Sequence, residues 1–436
     1  MRINIPMYLR SLIALCILFS GSLVAAPKVE AWTTSLGSKV MFVRADSLPM
    51  VDIRVVFDAG SARDEKLPGL ASFVNNMLTE GSAGKTADEM AVLLEDEGIQ
   101  LGTGSLRDMA WVTIRTLTEP AALDVAIEAM ADTLAKPNFD EKSVERVRQQ
   151  MQVVVRRSMQ SASSVAKRRL YEALYAGHPY ATPPEGSDES LKEISVKDLR
   201  AFHRQYYVAS NATIAVVGDL TREQAETVIE KVMAKLQRGQ HAKKVPDPEI
   251  RKGGHLHETF PSTQTHIFVG QVGMARHDPD YFPLYVGNHV LGGSGLVSVL
   301  GEEVRNKRGL SYSVYSYFSP MRASGPFLMA AQTKNQQSDE ALDVMRETLA
   351  DYLQKGPTVE QLEAAKQNII GGFPLRISSN KKIVEYLAMM AFYDLPTDWL
   401  DTLVEKIEKV NVSQIWSAWQ RRVKPENQVV VVVGGK

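Results

Sequence analysis

Cysteine is nearly missing from this sequence. The one residue of its kind, Cys16, sits in an apolar run close to the N-terminus. Beyond that run the chain can form neither a disulfide nor a thiolate metal site, and it offers no cysteine nucleophile. Surplus charge is also missing: Lys and Arg number 50 against 51 Asp and Glu, for a net charge of −1. A chain so balanced has no basic field with which to hold nucleic acid. After the first apolar run there is no second one long enough to cross a membrane. A serine nucleophile elbow and a dinucleotide fingerprint are absent as well. Leu291-Gly292-Gly293-Ser294-Gly295 is rich in glycine, but it lacks the Lys-Ser/Thr ending of a phosphate loop. Finally, no acidic residue precedes Glu30.

That last absence frames the first feature that is present. Arg2 and Arg10 bring positive charge, Ser11 to Val24 is apolar, and the small residues Ala25 and Ala26 follow. Charge, apolar run and small residues in that order make a secretory signal over residues 1–26, cleaved near Ala25 or Ala26. Pro27 leaves the bond itself open, since proline is unfavourable just after a cut. The run is shorter than the ~20 residues of a membrane span, and Leu15 is too large to precede a lipidated Cys16. The mature chain is therefore expected in the periplasm or outside the cell, free of the membrane. Apolar residues at 44% and charged residues at 23% are ordinary for a globular protein, and the length predicts two or more domains.

The chain repeats itself. Leu191, Ile194, Val196, Leu199, Asn211, Val217 and Gly218 recur at one constant interval as Ile407, Val410, Val412, Ile415, Asn427, Val433 and Gly434. VVFDAGSAR at 55–63 has an echo in FVGQVGMAR at 268–276, at nearly the same interval. Two echoes with matching offsets indicate a duplication. Prolines, paired glycines and charges at 239–254 mark a linker. It divides an N-terminal domain at 27–238 from a C-terminal domain at 255–436. Alternating apolar patterns predict strands at 38–43, 51–58, 111–116 and 212–217, with a turn at 46–49. Helical spacing predicts helices at 70–78, 87–97, 121–135 and 141–157, the last capped by Asp140. The expected fold class is α+β: two homologous domains, each an antiparallel-rich sheet covered by helices.

Three blocks carry a resemblance to a known family. They are GSARDEKLPGLASFVNNMLTEGS at 60–82, a long stretch at 145–220 that includes GHPYATPPEGS, and VLGGSGLVSVLGEEVRNKRGLSYSVYSYF at 290–318. The chain resembles the zinc peptidases of the pitrilysin/insulinase class, in particular the processing-peptidase-like branch, over nearly all of its length. That resemblance implies a helix bearing H-x-x-E-H, whose histidines share one face and one metal ion while the glutamate activates the bound water. A later glutamate on another helix would complete the ligand set. Here Ser72 and Asn76 stand at the histidine positions, Asn75 at the base, and Val154 near the later glutamate. Ser and Asn are weak zinc ligands, and Asn75 cannot accept a proton from water at neutral pH. No metal is expected in this chain, and no catalytic residue in this chain alone.

The family resemblance further implies an arginine and a tyrosine, seven residues apart in the second half, that reach the bound peptide and stabilise the oxyanion. Arg305 and Tyr312 have that spacing and are the expected pair; Arg308 and Tyr315 also stand seven apart and are the fallback. Gly292, Gly293 and Gly295 either contact the incoming peptide, as the glycine-rich loop of a non-catalytic subunit does, or merely turn the chain. A rebuilt metal site would have to draw on His255, His257 and His266, and the lone His178 in GHPY suits a structural hydrogen bond. Zinc chemistry lost beside peptide contacts retained matches the non-catalytic subunit of a heterodimeric peptidase. Its partners would be a zinc-bearing H-x-x-E-H subunit of the same family and a peptide substrate. The alternatives are a catalytically inert scaffold or peptide-binding protein of the same fold, and an independent enzyme with another site.

Overall fold

The computed structural model describes residues 28–435. The signal expected at residues 1–26, Cys16 included, lies outside them. In chain order the N-terminal half comprises β1 (Glu30–Thr33), β2 (Lys39–Arg44), β3 (Met50–Phe57), α1 (Leu70–Met77), α2 (Ala87–Asp96), β4 (Gln100–Ser105), β5 (Ala110–Leu117), α3 (Pro120–Ala135), α4 (Glu141–Met159), α5 (Ala162–Leu174), α6 (Asp188–Glu193), α7 (Val196–Tyr206), β6 (Ala212–Gly218) and α8 (Arg222–Met233). The C-terminal half comprises β7 (Gly254–Glu258), β8 (Gln264–Val272), α9 (Tyr281–Asn288), β9 (Ser311–Phe318), β10 (Pro326–Lys334), α10 (Ser338–Lys355), α11 (Val359–Arg376), α12 (Asn380–Phe392), α13 (Trp399–Glu408), α14 (Val412–Arg422) and β11 (Val429–Val433). No helix among the described residues is long and apolar enough to cross a membrane.

Local chemistry accounts for the helix starts. Thr86 and Glu89 form a capping box on α2, Asp140 accepts from the Ser143 N–H at the start of α4, and Pro120 opens α3 where its missing N–H costs nothing. The duplication extends to these caps: Ser195 with Asp198 boxes α7, and Asn411 with Gln414 boxes the corresponding α14.

The duplication is complete in the sheets. The N-terminal sheet runs β1-β2-β6-β3-β5-β4 and the C-terminal sheet β9-β10-β8-β11-β7. Read from opposite ends these are the same order, with β1 an added edge. Each sheet has one parallel pair, β2 with β6 and β7 with β11, and is otherwise antiparallel. The fold is α+β, as the sequence pattern implies.

Each sheet is covered by helices, and part of the cover comes from the other half. Helix α5 of the N-terminal half lays Val165, Ala166 and Leu170 on Phe268, Leu328 and Val431 of the C-terminal sheet. Helix α12 of the C-terminal half returns the exchange, with Leu387, Ala388 and Ala391 in one cluster with Met41, Val56, Ala215 and Val217 of the N-terminal sheet. Burying two apolar helix faces across the seam joins the halves by the same force that holds each one together.

Polar groups lock the seam further. Buried Asp108, in the turn between β4 and β5, accepts from the hydroxyls of Tyr180 and Tyr393 (2.9 Å to the latter) and from the Arg322 N–H at 2.7 Å. The linker segment has no regular structure and is mostly exposed, yet it is strapped to the N-terminal half. Arg63 donates to the Lys243 carbonyl, the Ala242 N–H donates to Asn211, and Val245 is buried. His178 donates through Nε2 to the Pro246 carbonyl at 2.8 Å, and its Nδ1 accepts from the Tyr180 N–H, which gives it a structural role.

Candidate functional site

Helix α1 carries the positions at which the resembling peptidases hold zinc. Gly69, at φ +92°, is its N-cap, and Gly186 lies against it so closely that a Cβ at position 69 would come within 3.0 Å of the Gly186 Cα. Asp64 accepts from the Gly69 and Ala71 N–H groups, both at 2.8 Å, and so fixes the start of the helix. Burial pushes its carboxyl up to about 8, against the pull of those two donors.

On this helix Ser72 is half-buried, Asn76 is exposed and Asn75 is buried. The Asn75 amide donates to the Trp111 carbonyl at 3.2 Å and to the Tyr207 hydroxyl at 3.3 Å. A carboxylate has no hydrogen to give, so it could not bond the Trp111 carbonyl, although it could accept from the Tyr207 hydroxyl. The position of the general base is therefore rebuilt as a structural donor that ties α1 to β5 and to the residue after α7. Val154, on α4, points an apolar side chain 58% exposed to solvent. These four side chains do not fit a zinc ion: two amides, one of them fully engaged, a hydroxyl and a hydrocarbon present no imidazole, thiolate or carboxylate.

The rebuilt-site alternative fares no better. His255 and His257 lie on edge strand β7, His266 lies on β8, and β11 runs between the two strands. Among the described residues no group of three or more His, Cys, Asp or Glu could share a metal ion.

The second half places its predicted pair together. Arg305 lies in a π-helical turn, Gly301–Asn306, and its guanidinium carbon sits 4.3 Å from the centre of the Tyr312 ring. Tyr312 is 83% exposed, the result of an irregularity in β9. Ser311 pairs with Thr333 and Ser313 with Gln332, so Tyr312 is an extra residue, a β-bulge. Bulges re-aim side chains, and this one turns Tyr312 and Ser313 outward in succession. The periodicity of β9 carries no sign of it. The fallback pair is separated. Arg308 donates to the Glu303 carboxylate and carbonyl at 2.7 and 2.9 Å, while the Tyr315 ring stacks on Tyr317.

The glycines divide in role. Gly292 is buried, and a Cβ there would come within 2.4 Å of Ser316 Oγ, so it lets the π-helical turn His289–Gly293 close onto β9. Asn288 holds that junction by donating to the Ser316 carbonyl at 3.0 Å and accepting from its hydroxyl at 2.8 Å. A Cβ at Gly293 would crowd the Asn288 amide. Gly295, at φ +63°, has open space around it and leads into Leu296 and Val297, 56% and 83% exposed. Position 292 therefore turns and packs the chain, whereas Gly293 and the loop tip at 295–297 are exposed.

Residues 39–187 match the family model described as Insulinase (Peptidase family M16), and residues 193–369 match the model described as Peptidase M16 inactive domain. A solved structure of a peptidase M16 inactive domain from Pseudomonas fluorescens is 38% identical and superposes with a TM-score of 0.91, covering 94% of this chain and 98% of that one. Among curated relatives, the "Non-peptidase homolog YmxG" of Helicobacter pylori is 27% identical, over 86% of this chain and 87% of that protein. The "Uncharacterized zinc protease YmxG" of Bacillus subtilis is 24% identical, over 89% and 94%.

Proposed function

This chain belongs to peptidase family M16, the insulinase family, and within it we propose that it serves as the non-catalytic subunit of a two-chain zinc peptidase outside the cytoplasm. The partner would be a family member bearing an intact H-x-x-E-H motif, with zinc bound there. This chain would complete the peptide cleft through Arg305 and Tyr312.

The observation that carries the reading is the contrast between the two sites. Asn75 is engaged inside the protein, whereas Arg305 and Tyr312 meet on the surface with their polar ends free to reach another molecule. An arginine offers several donors and a tyrosine one, as needed to hold a peptide carbonyl or to stabilise the oxyanion formed at it. The exposed tip at Gly295–Val297 follows in sequence just before the arginine and would border the same cleft.

The test is reconstitution. The chain, tagged at its C-terminus and expressed in its own host, is expected to co-purify with an H-x-x-E-H protein in equal amount, and the pair is expected to cleave an unstructured peptide. Arg305→Ala or Tyr312→Phe should lower kcat of the pair by about 100-fold, the usual scale for an oxyanion donor, without releasing the partner. Recovery of the chain alone, or full activity of the variants, would overturn the reading.

A second reading is favoured by the name of the Helicobacter pylori relative, a non-peptidase homolog: an inert scaffold or peptide-binding protein. It expects the Arg305 and Tyr312 variants to change no activity of any partner.

A further inference from the structure

The cavity that the peptidase reading leaves unused lies in the C-terminal half. Helices α9, α11, α12 and α13 surround a space of about 580 Å³, well within the range of small-molecule sites. Arg276, Arg376 and Lys382 reach into it, and its one carboxylate is Glu385. That carboxylate is paired with Arg54 of the N-terminal half at 3.6 Å. None of the three cations is in an ion pair among the described residues.

Their hydrogen bonds go only to neutral groups. Arg376 donates to the Tyr285 hydroxyl at 3.1 Å, and Lys382 to the Leu375 carbonyl at 2.7 Å. Arg276 donates to the Pro320 carbonyl at 3.2 Å, and its Nε is buried with no partner. Three positive charges thus line one concave space against a single carboxylate, an excess that favours an anionic ligand.

The rest of the wall is apolar and aromatic. The rings of Tyr281 and Tyr285 stack at 6.1 Å, and those of Tyr386 and Trp399 lie 6.3 Å apart across the lining. A bare inorganic anion would leave these rings unmatched. We propose that this cavity binds a carboxylate with an apolar or aromatic body, the acid on Arg376 and Lys382 and the body between the rings. Arginine is suited to the role because its planar fork meets a carboxylate with two parallel hydrogen bonds. A free small acid and the C-terminal end of a peptide share this chemistry. The inference is independent of the proposed peptidase role.

Trp399 is a reporter built into the site. The full chain would be titrated with N-acetylphenylalanine and with its uncharged amide, following tryptophan fluorescence and, in parallel, heat release. Trp399→Phe identifies which of the five tryptophans responds. Saturable binding of the acid is expected in the sub-millimolar range, with the amide weaker by about tenfold or more. Arg376→Gln and Lys382→Gln should each weaken the acid by a similar factor while leaving the unfolding midpoint unchanged. A hexapeptide ending in a free phenylalanine distinguishes the sources. Binding as tight as the acid assigns the site to peptide ends, and no binding assigns it to free small acids. Equal affinity for acid and amide would overturn the proposal. So would competition by inorganic phosphate as strong as by the acid, indifference to both substitutions, or no saturable signal at millimolar acid.

Discussion

The two halves of the molecule share a strand order, a pair of boxed helices and even the exchange of one helix, yet they use their polar side chains in opposite ways. In the N-terminal half the position of the catalytic base holds Asn75, whose hydrogens are taken up by Trp111 and Tyr207. In the C-terminal half Arg305 and Tyr312 hold each other at the surface, with Tyr312 83% exposed. A duplicated fold conserves what is needed to bury apolar surface. It leaves side chains outside that core to diverge, and inward hydrogen bonding or outward exposure then separates structural residues from candidate functional ones.

The comparison can be broken at the seam, where the largest effect is expected. Asp108→Ala leaves the hydroxyls of Tyr180 and Tyr393 and the Arg322 N–H without their shared acceptor, and the loss of stability should be on the order of 4 kcal/mol. Urea denaturation reads it as a lower midpoint. If the halves were independent, the change would instead appear as two separate transitions.

Leu170 on α5 and Leu387 on α12 occupy reciprocal places in the exchange, and both are fully buried. Leu170→Ala and Leu387→Ala should each cost about 3 kcal/mol. Because each helix belongs to one half and packs on the other, either change should shift one common transition. A variant that melts a single half would refute the interlocked description.

Acid should expose a difference that the duplication hides. His203, in the last turn of α7, corresponds to the buried Trp419 in α14. Burial lowers the His203 pKa to about 4, and its Nε2 bonds the Leu134 carbonyl at 2.9 Å. The folded pKa lies below that of the unfolded chain, so His203 contributes its stability above about pH 6.5 and loses it as pH falls toward 4. The full loss is about 3 kcal/mol. Comparing unfolding midpoints at neutral and mildly acidic pH for the native chain and His203→Gln should show a shallower decline in the variant.

The smallest stability effects are expected where the comparison began. Asn75→Ala strands the buried Tyr207 hydroxyl and the Trp111 carbonyl and should cost about 2 kcal/mol. Arg305→Ala should cost less than about 1 kcal/mol, as a half-buried cation resting on an exposed ring. Equal losses at the two positions would remove the distinction between them.

Much of this could be read in the chain before folding. Constant spacing from Leu191 and Gly218 to Ile407 and Gly434 reveals the duplication, because each copy needs the same apolar positions to fill the same core. The replacement of histidine and glutamate by Ser72, Asn75, Asn76 and Val154 reveals the lost zinc chemistry, because ligation depends on side-chain identity. The interval between Arg305 and Tyr312 identifies a pair but fits Arg308 and Tyr315 equally well. Only the bulge at Tyr312 and the capture of Arg308 by Glu303 separate the two. The cavity around Arg376 and Lys382 has no linear signature, since its walls come from four helices and each contributes only a few residues.

What the sequence by itself determined is therefore periodic or compositional: the repeat, the α+β pattern, the helix caps and the residue types that replace the family's H-x-x-E-H. These depend on neighbours along the chain or on the chemistry of single residues. Which helix covers which sheet, which arginine meets which tyrosine, and where three cations converge were decided by tertiary structure. They depend on burial and on contacts between residues far apart in sequence, and such contacts exist only once the two halves have packed against each other.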